Sequence, residues 1–436
     1  MEEDTFAEDK SLLNRENNTE SNFQRFRSSF SELSSSPREY WIVVLMIFLS
    51  QYAISLFLIP LSIYLSEVLD LSDMVTGLLF VAFGVLALVF SFLLGYFADR
   101  FHTRTNLFTC GILMIANFVV LLVVPLVAVK LVAIILFLPI IVCIFFPTTK
   151  LAVKRYTEAT SRSLGFSFFY MAYYTGAALS GITVDLVISL NGTEESTFVL
   201  LFLIDVGIIT VFIGLVFLLR QDSDLETDFS MWEHTKEVLE SKTFWKFMGL
   251  AMLFVIVKSV QKHADVTLPI YMYRDIEEDA HFGYMQALAN ITILVSIPAT
   301  TYLIYFFTHY SLLVLGSFVS SLSVIPLLFG ASYWTVAAFI VVVSVGEGIT
   351  SPRLADYTLQ VAKEGKEGVF LSLAAAPLHV STVVTGIMAG ALLSKYCPED
   401  GERECWALWG LIGLVAIVPS FLMLVFRPYL EEKPVN

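Results

Sequence analysis

Residues 345–356 read Val-Gly-Glu-Gly-Ile-Thr-Ser-Pro-Arg-Leu-Ala-Asp, so Glu347, Arg353 and Asp356 fall inside a long apolar segment. Ionisable side chains in such a setting are costly and are kept where they have a use. Glu347 stands roughly 14 residues into the segment, about 20 Å deep at helical rise. A carboxylate at that depth is a proton carrier or a ligand for a cation; a structural hydrogen bond between helices is the alternative. A second group lies at similar depth in another apolar segment: Lys258, with Lys262, His263 and Asp265 within two turns. Lys258 and Lys262 are spaced to share one helical face. Two ammoniums there repel unless an anion joins them, either on a bound solute or from Glu347 or Asp265. His263 brings an imidazole that titrates near neutrality. For Lys262, His263 and Asp265 a place in a wet outer vestibule is equally consistent.

Other polar residues sit in apolar surroundings. Lys150 and Arg353 lie toward matching ends of two segments, as an inner gate, as ligands for a carboxylate, or as membrane anchors. His379, close to Pro377, is a pathway residue or a helix-packing one. Gln51, Tyr52, Tyr170, Tyr173 and Tyr174 line a polar cavity or simply pack, and Asp185 and Asp205 are expected in water-exposed outer halves. No His/Cys metal spacing, phosphate loop or nucleophile motif is present, so neither a metal, a cofactor nor an enzyme centre is expected. The charged residues are spread over several segments, as a pathway requires.

The elements that must position these residues follow from composition. The chain has 436 residues, 57% hydrophobic and 15% charged, with a mean hydropathy of +0.76. Soluble domains carry about 25% charged residues, so a membrane-embedded chain is implied. A bilayer-spanning helix needs about 20 apolar residues. By that rule spans fall near 40–66, 74–97, 105–127, 130–153, 163–190 and 197–219, then 243–273, 281–307, 310–330, 333–361, 367–395 and 405–427. The expected architecture is all-α: twelve transmembrane helices in two pseudo-symmetric six-helix bundles, 37–220 and 243–428. Residues 1–36 read as a disordered tail, 221–242 as an acidic linker with a short surface helix, and 429–436 as a second tail.

Internal repetition supports the two halves. Shifting the sequence by 203 positions lays Arg353-Leu354-Ala355 on Lys150-Leu151-Ala152, Ala362 on Ala159 and Gly368 on Gly165. Parallel repeats of this kind hold a solute site between them near the midplane. Lys/Arg placement sets the orientation. With both tails in the cytosol, 19 of the 26 basic residues fall on cytosolic tails, loops and helix ends. Asn191 then begins a glycosylation sequon on the far side. Cys397 and Cys405 share a loop on that same oxidising side, where a disulfide is plausible. Glu8-Asp9-Lys10-Ser11-Leu12-Leu13 resembles an acidic dileucine sorting signal, implying sorting adaptors as partners of the tail. A lysosomal, vacuolar or endosomal membrane is then expected, with the plasma membrane as the alternative. The net charge of −14 and the lack of a basic patch give no support to nucleic-acid binding.

Gly95-Tyr96-Phe97-Ala98-Asp99-Arg100-Phe101-His102-Thr103-Arg104 resembles the major facilitator signature, departing from it at the second glycine. The resemblance implies that Gly95, Asp99, Arg100 and Arg104 form a cytosolic conformational latch, Asp99 meeting a helix N-terminus and the arginines reaching carboxylates. A narrower resemblance is to the proton-coupled oligopeptide transporters. It rests on Gly346-Glu347 followed by Ser351-Pro352-Arg353-Leu354, on Phe166-Ser167-Phe168-Phe169-Tyr170 through Gly176, and on Gln286-Ala287-Leu288-Ala289-Asn290 with Pro298. It implies Glu347 as ligand of a peptide amino group and Lys150 as ligand of its carboxylate. The first span, Trp41 to Tyr52, departs from the family by lacking its Glu-x-x-Glu-Arg cluster. The expectation is therefore a monomeric secondary transporter of a small carboxylate-bearing solute. Protons are the expected coupling ion, through Glu347 with His263, Asp265 or His379. An uncoupled uniporter and a non-transporting receptor on the same fold are the alternatives.

Overall fold

The computed structural model describes residues 24, 26–61, 64–71, 73–94, 97–192, 194–220, 231–276, 282–362, 367–398 and 401–431. Glu8, Leu12, Leu13, Gly95 and Thr193 lie outside them. The twelve principal helices are α1 Arg38–Leu58, α2 Asp73–Leu94, α3 Thr103–Val123, α4 Val127–Tyr156, α5 Arg162–Asn191 and α6 Glu195–Val216. Then come α7 Lys242–Asp275, α8 Phe282–Thr301, α9 His309–Leu322, α10 Tyr333–Val361, α11 Glu367–Tyr396 and α12 Cys405–Val425. Eleven are long and apolar enough to cross a membrane, and α2 contributes the further apolar stretch Val81–Ser91. Two spans finish in 3-10 turns, Tyr302–Tyr305 after α8 and Ile325–Phe329 after α9.

The surface is inverted relative to a soluble protein. Val123, Leu190, Val295, Ile387 and Val425 are each more than 60% exposed, and lipid rather than water suits such a face. Only structures that satisfy their own backbone groups cross hydrocarbon, which is why apolar runs of this length close into helices. Glycine and proline both weaken a helix interior, yet α10 is continuous through Gly346, Gly348 and Pro352.

We call the face carrying Arg38 and Val425 the tail side, and the face carrying Cys397 and Cys405 the disulfide side. On the tail side, residues 26–34 form a helix, where the sequence read as a disordered tail. Ser29 Oγ donates to Thr160 O at 3.1 Å, and Leu33 is 1% exposed. Phe30 packs beside Phe168, whereas Phe26 sets its edge against Tyr302 and Tyr305. This short helix therefore touches both halves of the chain. On the opposite side Cys397 and Cys405 are joined in a disulfide, with Cα atoms 4.8 Å apart. Asn191, exposed, stands where α5 ends at Gly192, whose φ of 75° is the left-handed form that stops a helix.

Candidate functional site

Glu347 is placed by the glycines on either side of it. A Cβ on Gly346 would stand 3.0 Å from Gly316 O and Ser320 N, and would overlap the Ser320 hydroxyl. A Cβ on Gly348 would overlap Ser296. The two glycines let α10 lie directly against α9 and α8, leaving the side chain between them to point across the molecule. Its partners come from three helices. Lys258 of α7 forms an ion pair with Glu347 Oε2, and Ser351, one turn along α10, donates to Oε1. Tyr174 of α5 donates to Oε1 at 3.0 Å, a bond that joins the two halves of the chain. Lys258 Nζ also donates to Ser351 Oγ at 3.2 Å and Gln261 Oε1 at 3.3 Å.

The pair is neither dry nor open. The side chains of Lys258 and Glu347 keep 14% and 10% of their exposure. An ion pair at this depth holds only where its remaining hydrogen-bonding capacity is met, and Ser351, Tyr174 and Gln261 meet it. Tyr170, Tyr173 and Tyr174 form an aromatic wall beside it, with Tyr173 edge-on to Tyr174 at 5.0 Å and Tyr170 stacked on Tyr174 at 6.4 Å. Ile293 and Ile297 of α8 pack on the same wall. Lys150 of α4 is half-buried and near enough for its charge to act on Lys258.

A second cluster lies two turns along α10 toward the tail side. Arg353 is fully buried. Its Nη1 donates to Ser163 Oγ, and its Nη2 donates to Ser167 Oγ at 3.2 Å and Thr301 Oγ1 at 3.0 Å. Thr301 in turn donates to Ser167 at 2.8 Å. Ser163 and Ser167 belong to α5 and Thr301 to α8, so this guanidinium ties the halves together. The nearby charge that balances it is Asp356, which faces His309 Nε2 at 3.4 Å. Farther toward the tail side, Asp99 Oδ2 accepts from Val369 N at 2.8 Å. Val369 lies in the first turn of α11, where unpaired N–H groups favour an anion. The two arginines that follow Asp99 differ from expectation. Arg100 lies over the Phe101 ring and Arg104 over Phe217, rather than against carboxylates of the described residues.

The remaining residues divide clearly. Lys262 pairs with Asp265 at 3.3 Å, both 44% exposed, so Lys258 and Lys262 each carry their own carboxylate. His263 points away, fully buried, with Nδ1 2.7 Å from Thr267 Oγ1. His379 is half-buried at the contact of α11 with α2, where its carbonyl lies 3.8 Å from a Cβ built on Gly84. Lys262 acts electrostatically on it. Gln51 donates to Ser55 at 2.7 Å, and Tyr52 meets Thr183 at 2.9 Å. Both lie where α1 meets Gly176 of α5, and among the described residues neither bonds to Glu347. Asp205 is 0% exposed, against the expectation of a watery outer half. Sequence reasoning passed over Ser351, Ser163, Ser167 and Thr301 as site residues. Small hydroxyls in a span carry no signal until a charge is found beside them.

The chain belongs to the Major Facilitator Superfamily, whose sequence profile matches residues 43–304. It is therefore a membrane transporter and not an enzyme. Among solved structures, a POT family transporter in complex with a thioalcohol-conjugated peptide superposes with a TM-score of 0.73 at 17% identity, covering 91% of this chain and 97% of that one. A POT family transporter in complex with 5-aminolevulinic acid gives 0.73 at 16% identity, over 91% and 97%. The peptide transporter POT in complex with sulfate gives 0.71 at 17% identity, over 90% and 95%. At these identities the likeness is one of fold. No curated protein matches the chain by sequence.

Proposed function

We propose that this transporter moves a small polar, carboxylate-bearing solute (an amino acid, short peptide or organic anion) by alternating access, driven by protons through Glu347. The observation that carries the reading is the Lys258–Glu347 pair at mid-depth, held by hydrogen bonds from both halves and not fully shut off from solvent. A zwitterionic solute offers what this pair already contains. Its ammonium replaces Lys258 on Glu347, and its carboxylate is taken by Lys258 and Lys150. A proton on Glu347 releases Lys258 in the same way, so proton and solute act on one group. Arg353 and Asp99 then hold the tail side closed while the solute enters from the disulfide side. Complexes of related folds with a thioalcohol-conjugated peptide and with 5-aminolevulinic acid support the solute class.

In this reading the tails face the cytosol and Glu8, Leu12 and Leu13 direct the protein to an endosomal, lysosomal or vacuolar membrane. His263, turned away from the site, takes no part, and His379 and Asp265 serve only the outer approach. A second reading is favoured by one specific observation: α1 from Trp41 to Tyr52 carries no acidic residue, so uncoupled uniport is the competing mechanism.

Two measurements decide. Thermal unfolding of the purified protein across amino acids, dipeptides, sugars and organic acids, at two pH values, identifies solutes that bind, since a ligand of the folded state raises the midpoint. Uptake of the best solute into vesicles is then compared for the native chain and Glu347→Gln. Proton drive requires that Glu347→Gln lose accumulation under a pH gradient while keeping solute exchange at equal pH. Undiminished accumulation would remove Glu347 from coupling, and indifference of the native chain to the gradient would establish uniport.

A further inference from the structure

The first half holds an acid that the Glu347 site does not use. Asp205 stands on the buried stripe of α6, between Phe202 and Ile209, and neither of its carboxylate oxygens has a hydrogen-bond partner among the described residues. Asn117 of α3 is 2% exposed, and its Oδ1 is also without a partner. Three ring contacts place the two together. Phe57 of α1, Phe118 of α3 and Phe202 of α6 touch one another pairwise, with centroids 5.7, 5.8 and 6.2 Å apart. Helix α3 runs away from the tail side and α6 runs toward it. Asn117, just before Phe118, and Asp205, one turn after Phe202, therefore both stand just tailward of this aromatic triangle. At the same level is a small cavity of about 10 Å³ lined by Ala53, Ile54, Met114, Asn117, Leu138 and Ile141, with the rings of Phe57 and Phe118. It has room for about one water.

The two Asp205 oxygens and Asn117 Oδ1 are thus buried acceptors at one level of the half, with no donor found for them among the described residues, and of these two side chains Asn117 lines the cavity. A bare carboxylate left in an apolar interior without a partner is not tolerated. A metal cation would need more oxygen ligands than two side chains provide, and the other side chains lining the pocket are apolar. One proton meets the need: it turns a carboxyl oxygen of Asp205 into a donor for Asn117 Oδ1, directly or through a single water.

We propose that Asp205 is a proton-binding site of the N-terminal half, separate from Glu347 and filled in this conformation by a proton shared with Asn117. The ionisable side chains that face α6 are engaged elsewhere or turned out: Tyr64, whose ring lies on Phe198 and Phe202, accepts at its hydroxyl from the buried Lys130 at 3.3 Å. Tyr40 bonds to Gly165 O and Tyr52 to Thr183. Cys110 faces Ile141 O, Arg104 covers Phe217, and Asp185 is exposed. Helix α6 packs on its own half, so the site is no ligand of a solute at Glu347. Its route to the transport cycle is mechanical. Losing the proton leaves an anion that the packing of α6 on α1 and α3 must open to hydrate, and α1 lies directly against α5, the helix that reaches Glu347 through Tyr174.

The inference does not rest on Glu347 being the coupling group, and its test needs no solute. Infrared spectra of the purified full chain in lipid are compared at mildly acidic and mildly alkaline pH for the native protein, Asp205→Asn, Asn117→Leu and Glu347→Gln. Asp205→Asn should lose a protonated-carboxyl stretch that Glu347→Gln retains. Asn117→Leu should move that band to higher frequency, since the acid has lost its acceptor. Asp205→Asn mimics the neutral acid in shape and should fold; if it does not, the Asn117→Leu shift alone decides. An Asp205→Asn spectrum identical to the native one, or no shift in Asn117→Leu, overturns the assignment. So does a rise in the unfolding midpoint with sodium chloride over choline chloride that Asp205→Asn abolishes, because the site would then hold a metal cation.

Discussion

Glu347 and Arg353 stand two turns apart on one helix, and each reaches across the molecule, yet they are built for opposite tasks. Glu347 has an ionic partner from its own half, Lys258, and only a neutral phenol from the other. Among the described residues Arg353 has no ionic contact across the seam; it grips three neutral groups, two hydroxyls of α5 and one of α8. An ion pair inside one half can be exchanged for a solute or a proton while the halves stay together. A guanidinium shared between halves can be satisfied only while they are closed. The first arrangement is replaceable chemistry and the second is a lock. The repeat that pairs Arg353 with Lys150 thus carries divergent uses, since Lys150 lies by Lys258 and not in its own copy of the lock.

This contrast can be broken experimentally, and the largest effect should come from Lys258. Replacing it by Met strands the Glu347 carboxylate and should cost about 3–5 kcal/mol. The double replacement Lys258→Met with Glu347→Gln should recover most of the unfolding midpoint. If the single and double variants unfold alike, the pair is not a coupled unit. Next comes Arg353→Gln, which removes charge-assisted bonds worth about 1.5–3 kcal/mol each. It should open the tail side, raising hydrogen exchange around Ser163 and Ser167 about tenfold or more, while solute binding at Glu347 persists. Protection equal to that of the native chain would show that the lock is held by other contacts. Asp99→Ala should act in the same direction and more weakly, by about 0.5–2 kcal/mol as for a lost helix cap, with exchange rising at Val369 and its neighbours. Tyr174→Phe deletes one hydrogen bond, about 1 kcal/mol. It should lower solute affinity several-fold with little change in tail-side protection, and the reverse pattern would make Tyr174 part of the lock.

The sequence exposed the spans, the two halves and the charged residues, because each is a departure from apolar monotony that hydropathy makes visible. Glu347 and Lys258 stood out for that reason, and so did the Asp99 motif through its ordered spacing. What stayed hidden was which way each residue faced. Lys262 and His263 are neighbours in sequence, yet one lies half in solvent and the other is wholly buried. At about 100° per residue, adjacent positions of a helix face different surroundings, and depth alone cannot separate them. The role of Gly346 and Gly348 was hidden likewise. Glycines inside a helix weaken it, whereas the use of these two is close approach to α9 and α8, knowable only once those helices are in place. Asp205 was misplaced because its position along α6 gave depth but not the aromatic triangle that seals it.

The short helix at 26–34 gives the chain a handle. It lies over the joint between halves, with Ser29, Phe30 and Leu33 seated on one side and Phe26 leaning on two tyrosines of the other. Any swing that parts the tail side must slide or shed that brace, whose ring contacts are worth about 0.5–1.5 kcal/mol apiece. Tension applied to the peptide ahead of residue 26 is thereby felt at the hinge line itself, so a fusion or tether placed there is not a neutral label.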